Sequence, residues 1–263
     1  MRPYLAVFSA RFRVLLQYRA AALAGFATQL FWGLIRIMAF EAFYRSSTVP
    51  QPMTYEEVVV YVWLSQAMIG LMPWNTDREV RDLIRSGTVA YELLRPVDLY
   101  TYWFTRALAL RVAPTLLRSI PLLIVSFLFF GMRFPPTLDC GLAWAVATLM
   151  ALLVSAAFTV VLNLSVLWTL SGDGVVQIAS SFIWMLSGMI IPLPLFPDWA
   201  QPIVNVLPFR ALMDAPFRLY MGHIPLDQVW GALAHQAFWL ILLIGVGRWL
   251  MTRGLRRVVV QGG

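Results

Sequence analysis

Few side chains in this sequence could do chemistry. The two histidines, His223 and His235, stand alone, the single cysteine, Cys140, opens an apolar run, and all 20 basic residues are arginine. A Gly-Lys-Ser/Thr phosphate loop needs its lysine to reach nucleotide phosphates, so this chain holds no such loop and phosphate-bond energy must come from a partner. It has no His-Glu-x-x-His zinc motif, no Gly-x-Ser-x-Gly elbow and no Asp-rich metal motif. General acid–base catalysis needs a paired acid and base in one cavity, and no convincing pair can be assembled. One cysteine forms neither an internal disulfide nor a thiolate cluster. The expectation is a non-enzyme that binds no cofactor or metal of its own.

The remaining polar candidates lie inside apolar runs: Gln29, Arg36, Glu41 and Asn163. Such residues are expensive in lipid and face protein or a cavity. Arg36 and Glu41, five positions apart, fall on partly similar sides of one helix, which allows them to pair near its outer end. Arg36, Glu41 and Asn163 either hold helices together or line a translocation path.

The elements that position these residues follow from composition. Hydrophobic residues make up 60% of the 263 and charged residues only 13%, against about 25% charged in soluble domains; mean hydropathy is +0.73. At ~20 apolar residues per crossing of a ~30 Å hydrocarbon core, the length allows about six spans and short connections. The net charge of +7 sits in clusters between apolar runs, which is membrane topology rather than a nucleic-acid surface. The pattern predicts an interfacial amphipathic helix over 2–19, then spans near 20–44, 58–73, 112–131, 140–170, 175–191 and 226–251. The run 99–131 is too long for one crossing, so Arg106 and Arg111 are assigned to an interfacial lead-in and Arg118 to snorkelling. A tight link, Ser171-Gly172-Asp173-Gly174, joins the fourth and fifth spans.

Charge sets the expected orientation. With both termini inside, Arg2, Arg11, Arg13, Arg19, Arg78, Arg81, Arg85, Arg95, Arg248, Arg253, Arg256 and Arg257 are cytoplasmic, whereas Arg45, Arg133, Arg210 and Arg218 are exterior; twelve against four favours that orientation. The segment before Arg11 is a poor signal peptide, so the N-terminus is expected to be retained and cytoplasmic. One integral membrane domain over 1–263 is the simplest division.

Two segments are unusual. In Thr76 to Gly87, Thr76 and Glu79 fit a capping box, Val80, Leu83 and Ile84 form an apolar stripe, and Gly87 suits a left-handed stop. This short helix either docks its stripe in a groove of a soluble partner and passes force to the spans, or is a solvated loop helix stabilised by charge pairs. The stretch 192–225 holds Pro192, Pro194, Pro197, Pro202, Pro208, Pro216 and Pro225. Its helical pieces, starting near Asp198 and Phe209, are too short to cross, and they read either as a re-entrant lid or as an ordered loop.

In this order, these features resemble the permease subunits of ABC-2 type transporters, notably the subgroup in which two small permeases accompany one ATPase. The resemblance rests on the amphipathic N-terminal helix, the capped helix between spans two and three, and the run from Ile84 through Arg85, Gly87, Leu94, Arg95 and Pro96. It also rests on Gly188, Pro192, Trp199, Leu207-Pro208-Phe209 and Gly222 before the last span. The resemblance implies an all-α membrane protein with a cytoplasmic coupling helix, Thr76 to Gly87, that sits on nucleotide-binding ATPase subunits, and re-entrant extracellular gate helices between Pro192 and Gly222. ATP and Mg would be bound by the partner ATPase. A second permease is also implied, a related chain more than an identical copy, in a bacterial cytoplasmic (inner) membrane, with export as the direction. The alternatives are a channel or scaffold without an ATPase, or an intramembrane enzyme. The substrate is left open.

Overall fold

The computed structural model describes residues 2–74, 76–169 and 173–257. Asn75 and the Ser171–Gly172 part of the expected link lie outside the described residues. Eleven α-helices follow one another among the described residues: α1 (Arg2–Leu16), α2 (Arg19–Ser46), α3 (Tyr55–Ala67), α4 (Arg78–Arg85), α5 (Val89–Leu93), α6 (Leu99–Phe129), α7 (Leu138–Leu164), α8 (Asp173–Leu186), α9 (Gln201–Val206), α10 (Asp214–Tyr220) and α11 (Val229–Gly254). Short 3-10 turns extend several of them, and no strand is present among the described residues.

Helix starts follow capping chemistry. Thr54 and Glu57 form a reciprocal capping box on α3, with the Thr54 amide donating to Glu57 at 2.7 Å and the Glu57 amide to the Thr54 hydroxyl at 3.3 Å. Asp98 accepts the Thr101 amide at 2.9 Å to open α6, and Thr137 accepts the Cys140 amide at 3.2 Å to open α7.

Among the described residues, four helical segments are long and apolar enough to cross a membrane: Arg19–Ser46, Leu99–Phe129, Leu138–Leu167 and Leu226–Gly254. Two of the expected crossings are shorter. The 13 residues of α3 and the 14 of α8 each rise only about 20 Å as α-helix. The expected break before residue 112 is absent, because α6 runs as one 31-residue helix with Pro114 and Pro121 inside it. Intramembrane prolines are tolerated where neighbours satisfy the released backbone groups. The structure therefore removes the interfacial lead-in, and Arg106 and Arg111 are buried in the bundle.

At the centre stands α3, whose residues Val58 to Ala67 are all buried. It packs between α2 and α6, and its core continues into α7 and α10 through Ala151, Val154, Ala157 and Phe217. A lipid-facing helix shows one apolar side to solvent hydrocarbon; a helix apolar and buried all round must be enclosed by protein. Alanines at positions 143, 147 and 151 give α7 a flat stripe, all of it buried, and α7 packs on α10 and α11.

Gly33 of α2 marks a close approach in this core, since a Cβ there would stand 2.5 Å from the Trp63 ring. Trp63 is fully buried and its indole N–H donates to the Phe130 carbonyl at 3.0 Å, so the ring cannot retreat. Gly33→Leu is expected to destabilise the protein by about 1–3 kcal/mol through overpacking and to lower Tm in nanodiscs. Gly245→Leu, on the open side of α11 where a Cβ meets nothing within 4 Å, is expected to leave Tm unchanged; equal effects would refute the close contact.

Candidate functional site

The charged helix α4 is held from three directions. The structure corrects its expected cap: Asp77, not Thr76, accepts the Val80 amide, at 3.4 Å. Thr76 instead accepts from the Arg81 guanidinium at 3.1 Å. Glu79 reaches no cap amide because charged donors take it: Arg106 of α6 donates to it at 2.9 Å, and Arg11 of α1 forms a second ion pair with it. A cap amide offers the carboxylate one partial charge, whereas the two guanidinium groups offer full opposite charges, which decides the competition. Arg106, only 3% exposed, also holds Asp77 through two bonds of 3.0 and 3.2 Å. At the far end, Arg81 and Arg85 both pair with Asp173, the first residue of α8, Arg85 at 3.0 Å. Gly87, with φ of +71°, supplies the left-handed stop.

The apolar stripe faces inward, another correction. Val80 and Ile84 are buried in a cluster with Val89, Tyr100 and Trp103, so they cannot enter a partner's groove. The open face carries Arg78, Glu79, Asp82 and Arg85, with Leu83 half-buried at its edge. Beyond α5, Leu94 and Pro96 are exposed, while Arg95 pairs with Glu92 at 3.0 Å and donates to the Tyr102 hydroxyl at 2.9 Å. Asp98 pairs with Arg248 of α11 at 3.1 Å, and its amide donates to Tyr4 of α1 at 3.0 Å. These residues brace the elements around α4.

Within the bundle, Arg36 and Glu41 do not pair. Five positions place them about 140° apart around a helix, whereas four place them about 40° apart; Glu41 accordingly binds Arg45 at 2.5 Å. Arg36 donates to the Ser65 hydroxyl at 2.7 Å and to the Ile190 carbonyl at 2.8 Å. It opens on a cleft of about 160 Å³ lined by Gln29 and Trp32 of α2, Gln66 of α3, Trp184 of α8 and Ile190. Asn163 is buried in α7 and lines no part of this cleft. Arg111, buried in α6, donates to Thr159 of α7 at 2.7 Å.

At the opposite end of α3, the Pro-rich stretch folds as α9 and α10 joined by a 3-10 turn, Pro208–Ala211. Gly188, with φ of +85°, brings the backbone against the Tyr61 hydroxyl, closer than a Cβ would allow. Pro192 and Pro208 are buried, Trp199 is 75% exposed, and Phe209 stacks on Phe158 of α7 at 6.0 Å. Asp214 is wholly buried and accepts from Tyr61 at 3.2 Å, with Arg218 at 3.7 Å; His223 meets Glu57 at 2.7 Å. The sequence reading missed Asp77, Asp173 and Asp214. Asp77 and Asp173 were discoverable as acids placed just ahead of helical runs, but nothing local marks Asp214. Among the described residues, no group of three or more His, Cys, Asp or Glu is placed to hold a metal ion.

An apolar helical bundle with several helices long enough to cross a bilayer, and a charged helix tied to it by ion pairs, defines a multi-pass membrane protein. The chain matches the family model described as ABC-2 family transporter protein over residues 30–262, and it belongs to that family. It is accordingly a membrane permease component of an ABC transporter, and the family implies an ATPase partner. Among curated proteins, none matches the chain.

Protonation gives a test of the α1–α4 tie. Partial burial pushes the Glu79 carboxyl up, but the Arg11 hydrogen bond and the Arg106 charge outweigh it and leave it below its ordinary value. A depressed carboxylate pKa stabilises the tie above the ordinary value of ~4.3, and the tie is lost as pH falls through the lower folded value. A spin label at Ala10→Cys, in a Cys140→Ser background, is expected to keep its mobility from about pH 7 to pH 5 and loosen only below ~4. Adding Glu79→Gln should give the loose spectrum at neutral pH; a spectrum like the parent's there would show that the tie does not hold α1.

Proposed function

We propose that this permease is half of the translocation unit of an exporter in a bacterial cytoplasmic membrane, with both termini cytoplasmic. Separate ATPase subunits, carrying ATP and Mg, dock on α4, and a second permease, a related chain more than an identical copy, completes the path. The observation that carries this reading is the double attachment of α4: Arg106 joins its start to α6, and Arg81 with Arg85 joins its end to Asp173 of α8. A push on the exposed face of α4 reaches α8 through these ion pairs, while the inward stripe of Val80 and Ile84 keeps the helix seated. The far end of α8 carries Trp184, and beyond it Ile190, so motion at Asp173 changes the wall of the Arg36 cleft.

Six crossings are part of the proposal. The turn Ile69–Leu71 lengthens α3, and the segment after α8 continues to Pro192; with these additions both short helices approach the ~30 Å core. The stretch from Gly188 through Pro192, Trp199, Pro208 and Phe209 then serves as the extracellular gate. Arg36 lines the path, while Glu41 and Asn163 flank it without contacting the cleft.

Leu83→Asp, at the edge of the open face, is expected to abolish co-purification of the ATPase while the permease remains monodisperse; undiminished recovery of the complex would refute docking on α4. Asp173→Asn should preserve co-purification but lower transport-coupled ATP hydrolysis about two- to fivefold, because the charge pairs of the largely exposed Asp173, worth ~0–1 kcal/mol, are lost from the moving part. Unaltered coupling would place the transmission elsewhere. For orientation, Trp199→Cys in a Cys140→Ser background is expected to react with an impermeant thiol reagent added outside cells, and reaction only from the cytoplasmic side would overturn the topology.

A further inference from the structure

Arg36 poses a charge problem that the protein leaves open. It lies nine residues, roughly 14 Å of helix, below Arg45, too deep for its side chain to snorkel to the outer surface. Among the described residues no carboxylate lies within 4.0 Å of it; its bonds go to the neutral Ser65 hydroxyl and the Ile190 carbonyl. A guanidinium has five N–H groups, and its Nε is buried with no acceptor. Arg106, by contrast, meets the carboxylates of Asp77 and Glu79. Beside it, Gln29 is 4% exposed and its Oε1 has no hydrogen-bond partner. Both residues line one cleft.

The cleft walls supply the rest of the chemistry. Trp32, 53% exposed, and Trp184, 41% exposed, frame a mouth that opens sideways from the bundle. Trp74 packs against Trp184 with ring centroids 4.9 Å apart and planes tilted by 38°, and stiffens that wall. A volume of about 160 Å³ is close to an engineered cavity of ~150 Å³ that accepts one benzene. It therefore admits one headgroup or one ring, not a whole drug-sized molecule.

We propose that this cleft selects amphipathic anions, with Arg36 receiving a carboxylate, phosphate or sulfate, Gln29 accepting a neighbouring donor, and Trp32 and Trp184 holding the apolar body at the mouth. This names the cargo class for the path proposed above and rests on that reading. Unfilled donors in a water-poor cleft favour a ligand that brings negative charge, and a cation of the same apolar body meets repulsion instead. The apolar part of the cargo extends out of the mouth into lipid or against the second permease.

The test uses the whole chain in phosphatidylcholine nanodiscs and native mass spectrometry, with dodecyl phosphate, dodecyltrimethylammonium and dodecanol as probes of one tail and three head charges. Dodecyl phosphate is expected to bind at least tenfold more tightly than the other two. Arg36→Gln should erase that preference, Arg36→Lys should retain part of it, and Gln29→Leu should weaken dodecyl phosphate alone while leaving the fold intact. Equal binding of all three heads, or an anion preference that survives Arg36→Gln, overturns the proposal. Phosphatidylglycerol that occupies the site and resists displacement by dodecyl phosphate identifies a resident lipid and overturns the cargo assignment. The outcomes separate from those of the transporter reading: binding needs no ATPase, so anion selectivity without ATP-driven movement of dodecyl phosphate refutes the path and leaves the site. ATPase recovery without selectivity refutes the site and leaves the permease.

Discussion

The rest of the structure depends on how arginine charge is accommodated inside an apolar bundle. Arg106, almost wholly buried, binds the carboxylate of Asp77, and that carboxylate also accepts the Val80 amide at the start of α4. One side chain thereby ends a buried charge problem for α6 and supplies the cap for α4. Removing one partner of such a buried pair typically costs about 3–5 kcal/mol, because the other is left charged and alone. The loop helix is thus fastened to the membrane bundle by the same interaction that lets α6 carry an arginine. A surface ion pair contributes only ~0–1 kcal/mol, so the buried Arg106 contact is the firmer of the two that fasten α4.

Around that attachment, short helices are stable because they are enclosed. α3 is too short to be a good lipid-spanning helix, yet its burial on all sides, with Trp63 against Gly33 and Tyr61 against Gly188, makes it the rod on which the others pack. Its start is tied to the Pro-rich hairpin by Glu57 with His223 and by Tyr61 with Asp214. Its end leads toward α4. Apart from α1, in which none of the described residues is buried, the helix with the smallest buried share is α8, where only Ile183 is buried. A helix with so little packing moves more easily than α3, since the elements that move are those with the fewest buried contacts.

How much of this was legible in the sequence depended on whether the deciding interaction was local. Composition gave a membrane protein, the apolar runs gave the long helices, and the order of motifs gave the ABC-2 family. Gly87 was legible because a helix stop is a property of one residue's backbone. The Thr76–Glu79 capping box was misread because the rival partners of Glu79, Arg11 and Arg106, are 68 and 27 positions away. The inward turn of Val80 and Ile84 was invisible for the same reason: a stripe shows which face is apolar, not whether the chain's own core or a partner covers it. The proposed Arg36–Glu41 pair was a different error, since helical geometry already favoured Arg45. The break expected near residue 112 assumed that Arg106 and Arg111 needed headgroups, when Asp77 and Thr159 could serve them.

In the proposed coupling, α8 is the lever between the two stations, α4 and the Arg36 cleft. Asp173 and Trp184 belong to the same 14-residue helix, separated by about 16 Å along its axis. At one end the contacts are ion pairs, which give way and re-form with small changes in geometry; at the other they are aromatic and apolar surfaces beside a guanidinium that lacks an acid. A rigid helix held by reversible charge contacts at one end and lightly packed along its length transmits displacement without requiring the central rod, α3, to unpack. The Ile190 carbonyl that accepts from Arg36 lies just past the end of this lever, so a shift of α8 alters the hydrogen bonding of Arg36 as well as the shape of the cleft. The guanidinium without an acid and the charge pairs that fasten α4 thus sit at opposite ends of the helix to which the proposed coupling assigns the movement.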